Sequence, residues 1–220
     1  MSAGEDLFAR ALQMARNGDF DQAKSHAERA LEESRRSHSR ALEAATLGLL
    51  GQLEAAAGRD RAALGYFTET LPIWEELENG PAGASALGSM AQAYSRLREH
   101  ESAVRSFEGA LTILRALRNR PDEAATLVGL ATAQIAMGRI DDAVSNLELA
   151  APILREIREF ARLAATLNLI GQRYEDRGDL RKALAVYDEH LQLIRQLGDA
   201  AAEARALEQI KRVSAKGGRN

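Results

Sequence analysis

The chain has no cysteine, which excludes a disulfide framework, a thiolate metal site and a cysteine nucleophile. Aromatic residues make up 5% of it and proline occurs four times, and no stretch shows the alternating Val, Ile and Thr pattern of a half-buried strand. Nowhere do about 18 apolar residues run together. The opening MSAGEDLFAR lacks the basic start and apolar core of a secretory leader, so a cytoplasmic protein with no membrane partner is expected. Charge of one sign is missing too. Lys and Arg number 29 against 32 Asp and Glu, a net charge of −3 with both signs interspersed, which gives no basic footprint for nucleic acid.

Chemistry-bearing clusters are equally scarce. His26, His38, His100 and His190 stand apart, with no paired ligand at helical spacing, so they read as solvated or satisfied surface histidines and no metal site is expected. Asp141-Asp142 looks like a helix start, where negative charge favours exposed amides. Gly48 and Gly51 follow no strand, so no phosphate-binding loop is implied. Without a catalytic constellation, the expectation is a non-enzymatic protein that needs no cofactor.

What is present is alanine-rich, 45% hydrophobic sequence with helical periodicity. In Leu87 to Leu111 an apolar stripe of Leu87, Met90, Ala91 and Tyr94 precedes a polar break at Arg98, Glu99 and His100, and a second stripe, Ala103, Phe107, Ala110 and Leu111, follows it. The breaks at Gly18-Asp19, Gly58-Arg59, Arg98-Glu99, Gly138-Arg139 and Gly178-Asp179 are 40 residues apart, the mark of stacked units that cannot bury their apolar faces alone. Ala23, Ala63, Ala103, Ala143 and Ala183 follow the breaks at constant spacing, and Ala27, Phe67, Phe107, Leu147 and Tyr187 lie one helical turn further on. Gly51, Ala91, Ala131 and Gly171 put a small residue beside the large ones where a neighbouring backbone must come near.

The order large-x-x-large-small-x-x-Tyr, then Gly, then Ala-x-x-x-aromatic resembles the tetratricopeptide repeat, most closely at Leu167, Ile170, Gly171, Tyr174, Gly178, Ala183 and Tyr187. Five copies cover roughly residues 5 to 198, with a period of 40 in place of the usual 34. This is similar to the longer variant of kinesin light chains and many bacterial regulatory proteins. The resemblance implies an all-α, right-handed α-solenoid of five antiparallel helix pairs plus a C-terminal capping helix. It forms a single superhelical domain over 1–215, with repeats at about 3–40, 41–80, 81–120, 121–160 and 161–198, a cap at 199–215 and a polar tail at 216–220. The six added residues are expected to lengthen the second helix of each pair. Trp74 falls among core positions. Pro72 and Pro152 fall inside second helices and should kink them, whereas Pro81 and Pro121 suit first turns. Two joints are irregular: Arg98 replaces the expected Gly, and around Arg158 neither Gly nor Pro marks the boundary. In the cap, Ala204, Leu207, Ile210 and Lys211 are placed in first-helix register.

In such a stack the first helices line the inner side, and spacing of three and four selects the residues there. These are Gln52, Gly88, Gln92, Arg96, Val128, Thr132, Ile135, Asn168, Gln172, Glu175, Asp176, Arg205 and Arg212 as the partner-binding groove, with Ala45, Ser85, Ala125 and Ala165 on the same line. Gln52, Gln92 and Gln172 share one position with Thr132. Either they hold a protein or peptide segment through amide contacts, or Gln stands there as a good helix former on a solvated face. Glu175-Asp176 offers electrostatic recognition. Phe8 and Leu12 occupy the face where a chaperone-binding repeat needs polar clamp residues, which argues against that ligand. They mark either a sticky surface or a register slip in a helix without a good cap. The reading is a protein- or peptide-binding scaffold. Two alternatives stand beside it: a self-assembling homo-oligomer, and the sensor module of a bacterial signalling or transcription system.

Overall fold

The computed structural model describes residues 2–217. Among them the chain is entirely helical: α1 (Ala3–Asn17), α2 (Phe20–Arg36), α3 (Arg40–Ala56), α4 (Asp60–Glu76), α5 (Gly80–Arg96), α6 (His100–Ala116), α7 (Arg120–Ala136), α8 (Ile140–Glu156), α9 (Phe160–Asp176), α10 (Leu180–Leu197) and α11 (Ala200–Gly217). Within each of its two units, links of two or three residues reverse the chain, so neighbours pack as antiparallel pairs. The chain divides into two compact units, Met1–Arg118 and Asn119–Asn220. The α11 helix continues through Gly217, so Lys216 and Gly217 of the expected tail are helical; the last three residues lie outside the described part.

First and second helices of the internal repeats are both 17 residues long. The extra length of the 40-residue period is therefore not confined to the second helix, as the sequence had implied. It is shared, and the backbone runs on an internal period of 20. A left-handed residue recurs at that interval: Gly18, His38, Gly58, Glu78, Arg98, Arg118, Gly138, Arg158, Gly178 and Gly198. Arg98 (φ 60°) makes the turn that Gly178 makes. Its N–H donates to Ser95 O (3.1 Å) and that of Glu99 to Tyr94 O (2.9 Å), the paired bonds that close a helix around a left-handed residue. Half of these turns thus adopt a conformation that L side chains disfavour by roughly 1–2 kcal/mol. Helix packing imposes the turn, whatever residue fills it.

Local signals set several helix starts. Ser2 and Glu5 form a reciprocal capping box on α1, so this helix does carry a good cap. Asn79 and Asn119 accept from Ala82 N (3.2 Å) and Asp122 N (3.3 Å), with Pro81 and Pro121 in the first turns of α5 and α7. Helices α4 and α8 continue across Pro72 and Pro152 without a break.

Packing follows the repeat. Ala23, Ala63, Ala103, Ala143 and Ala183 are fully buried, and Ala27, Phe67, Phe107, Leu147 and Tyr187 lie buried beside them. The small residues ahead of the breaks have a specific job: a Cβ built on Gly51 would stand 2.5 Å from Phe67 Cε1, and one built on Gly171 would strike the Tyr187 ring in the same way. A ring face, not a neighbouring backbone, excludes the side chain there. In the other copies Ala91 with Phe107 and Ala131 with Leu147 are buried at the equivalent positions. In the last helix the buried residues are Ala206 and Val213, while Ala204 and Lys211 are exposed.

Charged pairs stitch helix ends together. Arg40 donates to Glu43 (2.6 Å) and Glu76 (2.9 Å), and eighty residues on Arg120 donates to Glu123 (2.9 Å) and Glu156 (3.3 Å). Each arginine ties the start of a first helix to the end of its second. Glu54, 3% exposed, is held by Lys24 (2.8 Å) and Arg59, so its charge is satisfied within the core edge.

Candidate functional site

The recurring feature is a cleft between successive first helices, floored by the second helix between them. In the first unit α3 and α5 flank a cleft of about 240 Å³ above Phe67, Thr70 and Trp74 of α4, with Phe8 and Leu12 of α1 at its side. In the second unit α7 and α9 flank one of about 300 Å³ above Leu154 of α8. There α9 and α11 flank another, of about 380 Å³, above His190 of α10. The walls are equivalent under the forty-residue period. Gly48, Val128 and Asn168 stand at one position, Ser85, Ala165 and Arg205 at a second, and Ala86, Thr166 and Ala206 at a third.

The backbone repeats, but the lining does not. The α3–α5 cleft is mainly small and apolar, with Gln52 on its wall, and the α7–α9 cleft is almost wholly apolar, lined by Ala125, Val128, Ala165 and Leu169. The α9–α11 cleft is polar: Asn168, His190, Arg205 and Gln209 line it. Asn168 Oδ1 and His190 Nδ1 are buried there without a hydrogen-bond partner. Burial lowers the His190 pKa from its ordinary value, so the imidazole is neutral near pH 7.

The residues selected from sequence separate into three groups. Gln52, Val128, Asn168 and Arg205 line clefts. Gln92 and Thr132 are exposed at the position shared with Gln52, and Gln172, Gly88 and Ile135 are half-buried. The Thr132 hydroxyl donates to Val128 O (2.8 Å) and keeps only acceptor capacity for a ligand. The charged members are largely committed within the fold. Arg96 donates to Asp60 at the start of α4 (2.8 Å), Asp176 pairs with Arg173 (3.2 Å), and Glu175 receives Arg212 (2.8 Å), Lys216 (2.7 Å) and the Tyr187 hydroxyl (3.3 Å). Burial raises the Glu175 pKa, and Lys216, Arg212 and Tyr187 together bring it below the ordinary carboxylate value. Glu175 and Arg212 thus join α9 to α11.

Two tyrosines show the same tightness. Hydrogen bonding of the Tyr174 hydroxyl to Glu148 (2.5 Å), with burial, pushes its pKa up to about 12, and burial beside Glu175 does the same for Tyr187.

Sequence reasoning passed over two lining residues. His190 is only 9% exposed, not a surface histidine. The signal was its position, because Ala30, Thr70, Ala110 and Ala150 stand there in the other copies and are buried. Trp74 is half-buried: it packs on Ala44, Leu47 and Ile73 and also lines the α3–α5 cleft. Phe8 and Leu12 keep the inner register and combine two roles, packing on the Ala11–Leu50 core and siding the cleft. Among the described residues no group of three His, Cys, Asp or Glu is placed to hold a metal ion, and no helix is long and apolar enough to cross a membrane.

Comparison with known proteins places this geometry. The chain superposes on the crystal structure of BtubC from P. vanneervenii with a TM-score of 0.78 at 23% identity, covering 89% of this chain and 81% of that one. It superposes on a putative kinesin light chain from Podosopora anserina with nearly identical TPR-like repeats at a TM-score of 0.70 and 19% identity, over 100% of both chains. A Rap protein complexed with competence and sporulation factor gives a TM-score of 0.64 at 16% identity, covering 94% of this chain and 64% of that one. No curated protein sequence matches. Family models described as tetratricopeptide repeat match residues 5–76, 82–156 and 166–201. The chain belongs to the tetratricopeptide repeat family, a non-enzymatic protein-interaction module.

Proposed function

We propose that this protein is a cytoplasmic adaptor that holds a peptide segment of a partner protein in the clefts between its first helices. The observation that carries this reading is the recurrence of one cleft at equivalent positions with changing chemistry. A series of similar pockets, each differently lined, suits a chain whose successive side chains differ. Small residues at Ala45, Gly48, Ala125 and Ala165 leave room for a backbone to lie close, and the exposed Gln52, Gln92 and Thr132 supply amide and hydroxyl contacts to it. The Rap structure offers a precedent in the same fold, since that protein was solved with competence and sporulation factor bound.

The test is selection of a random peptide library on the full chain. Enriched peptides should share a sequence pattern and should lose binding to an Ala45→Arg/Val128→Arg variant whose helicity is unchanged. A library that fails to converge, or peptides that bind the variant equally, would refute the reading.

A second reading, self-assembly, draws on large apolar side chains left in solvent, among them Phe20 and Leu149, each about half exposed. Light scattering over a concentration series decides it: mass that rises with concentration supports assembly, and a constant monomer mass removes it.

A further inference from the structure

The α9–α11 cleft departs from its equivalents in a way that packing does not require. Where the α7–α9 cleft has Val128 and Ala165, this one has Asn168 and Arg205. Where the α3–α5 cleft has Thr70 on its floor, and where the buried Ala150 stands at the same position of α8, it has His190. Polar groups in so enclosed a place ordinarily find partners within the protein. Here two do not: Asn168 Oδ1 and His190 Nδ1 are buried and unpaired, although the His190 side chain is more than nine-tenths covered. A third group, Arg205, has no acidic partner among the described residues, while Arg212 on the same helix is held by Glu175.

We propose that this cleft is a subsite for a carboxylate that carries an adjacent amide: the carboxylate meets the Arg205 guanidinium, and the amide N–H donates to Asn168 Oδ1 or His190 Nδ1. The chemistry follows from the inventory. A neutral imidazole whose other nitrogen holds the proton accepts at Nδ1, an asparagine oxygen only accepts, and an unpaired guanidinium seeks an anion. A ligand with an N–H donor next to a negative charge satisfies the guanidinium and one of the two acceptors, and both the last residue of a peptide and an internal Asp or Glu present that pair. Leaving the two buried acceptors unmade costs the empty protein stability, part of which ligand binding restores. The subsite rests on, and extends, the peptide-holding reading, but it is testable with ligands too small to span more than one cleft.

The probes are N-acetylglycine, for a terminal carboxylate, and the α-amide of N-acetylaspartate, for an internal one, with N-acetylglycinamide as the neutral control. They are titrated into the full chain labelled with nitrogen-15, and the readouts are the His190 ring nitrogens and the Asn168 side-chain amide. At least one carboxylate probe should give saturable shifts with a Kd of about 1 mM, and the tighter of the two identifies the source. Arg205→Ala, at an exposed position, should weaken binding at least tenfold. His190→Ala should do the same, and it retains the fold because alanine fills this position at 110 and 150. Absence of saturable shifts with both carboxylates refutes the subsite, as does an equal response to the neutral control or unchanged binding by Arg205→Ala. Binding of a small probe together with a library that fails to converge would leave the subsite standing and remove the peptide groove.

Discussion

Two glycine-to-alanine changes in adjacent helices should move stability in opposite directions. Gly65 sits inside α4, exposed, with nothing within 4 Å of a built Cβ. Alanine there gains helix propensity alone, stabilising the protein by roughly 0.5–1 kcal/mol. Gly51 sits inside α3 against the Phe67 ring, whose Cε1, Cδ1 and Cζ would lie 2.5, 2.8 and 2.9 Å from the new carbon. Phe67 is 2% exposed and cannot swing into solvent, so the ring and its neighbours must repack at about 1–3 kcal/mol. Repacking is possible in principle, because α5 and α6 accommodate Ala91 and Phe107 at the equivalent positions. Set against the propensity gain of up to about 1 kcal/mol, the steric term wins and Gly51→Ala should lose about 1 kcal/mol net. Urea midpoints for the two variants should therefore fall on opposite sides of wild type. Adding Phe67→Leu reproduces the Ala131–Leu147 combination and should recover part of the loss, giving a coupling of at least about 0.5 kcal/mol. If Gly51→Ala proved as stabilising as Gly65→Ala, or if the two changes were additive, the ring-on-glycine account of the helix approach would be wrong.

Three further expectations concern turns, caps and charge. Because nothing lies within 4 Å of a Cβ at left-handed Gly178, Gly178→Ala isolates backbone strain and should cost roughly 1 kcal/mol, whereas Arg98→Gly should stabilise by a similar amount; thermal melts of both variants check the pair. Hydrogen bonds from Arg59 and then Lys24 hold the Glu54 pKa below its ordinary 4.5 despite burial. A depressed folded-state value gives stability that is complete above the unfolded pKa and lost as pH falls through the folded one. The advantage of wild type over Glu54→Gln should then be full at about pH 7 and shrink below about pH 4.5; a pH-independent difference in urea midpoints would contradict it. Glu175→Gln removes the charge that Arg212 and Lys216 share, and amide exchange in α11 should speed up while exchange in α3 stays unchanged.

The helical architecture was legible because three signals agreed: the period of forty, the small-then-large pairing of the last four copies, and the polar breaks. Helix lengths were less so. The internal period of twenty is carried by left-handed turns that half the time hold His, Glu or Arg, and such residues advertise no turn. Arg98 and Arg158 looked irregular for that reason, although packing gives them the geometry of Gly178. The inner face was also placed by spacing, and Gln52, Val128, Asn168 and Arg205 do line clefts. Charge was where spacing misled. Arg96, Glu175 and Arg212 sit on that face, yet each spends its charge on a partner 36 or 37 residues away, and no one-helix pattern shows such a pairing. His190 failed for the opposite reason: as a lone histidine it looked solvated, and only comparison with alanines at the same repeat position reveals it as floor. The capping box on α1 was readable as Ser2-x-x-Glu5, and recognising it removes the register slip that would have displaced Phe8 and Leu12.

Because the chain has no native cysteine, thiol labelling reports single introduced positions without background. Cysteines placed one at a time at 52, 92 and 132 should react quickly in the free protein and slow markedly when a library-selected peptide is bound, while a cysteine at exposed position 112, on a second helix, should be indifferent to the peptide. Labelling at 52, 92 and 132 that the peptide leaves unchanged, or that it slows no more than at 112, would contradict the claim that partners are held along the first helices.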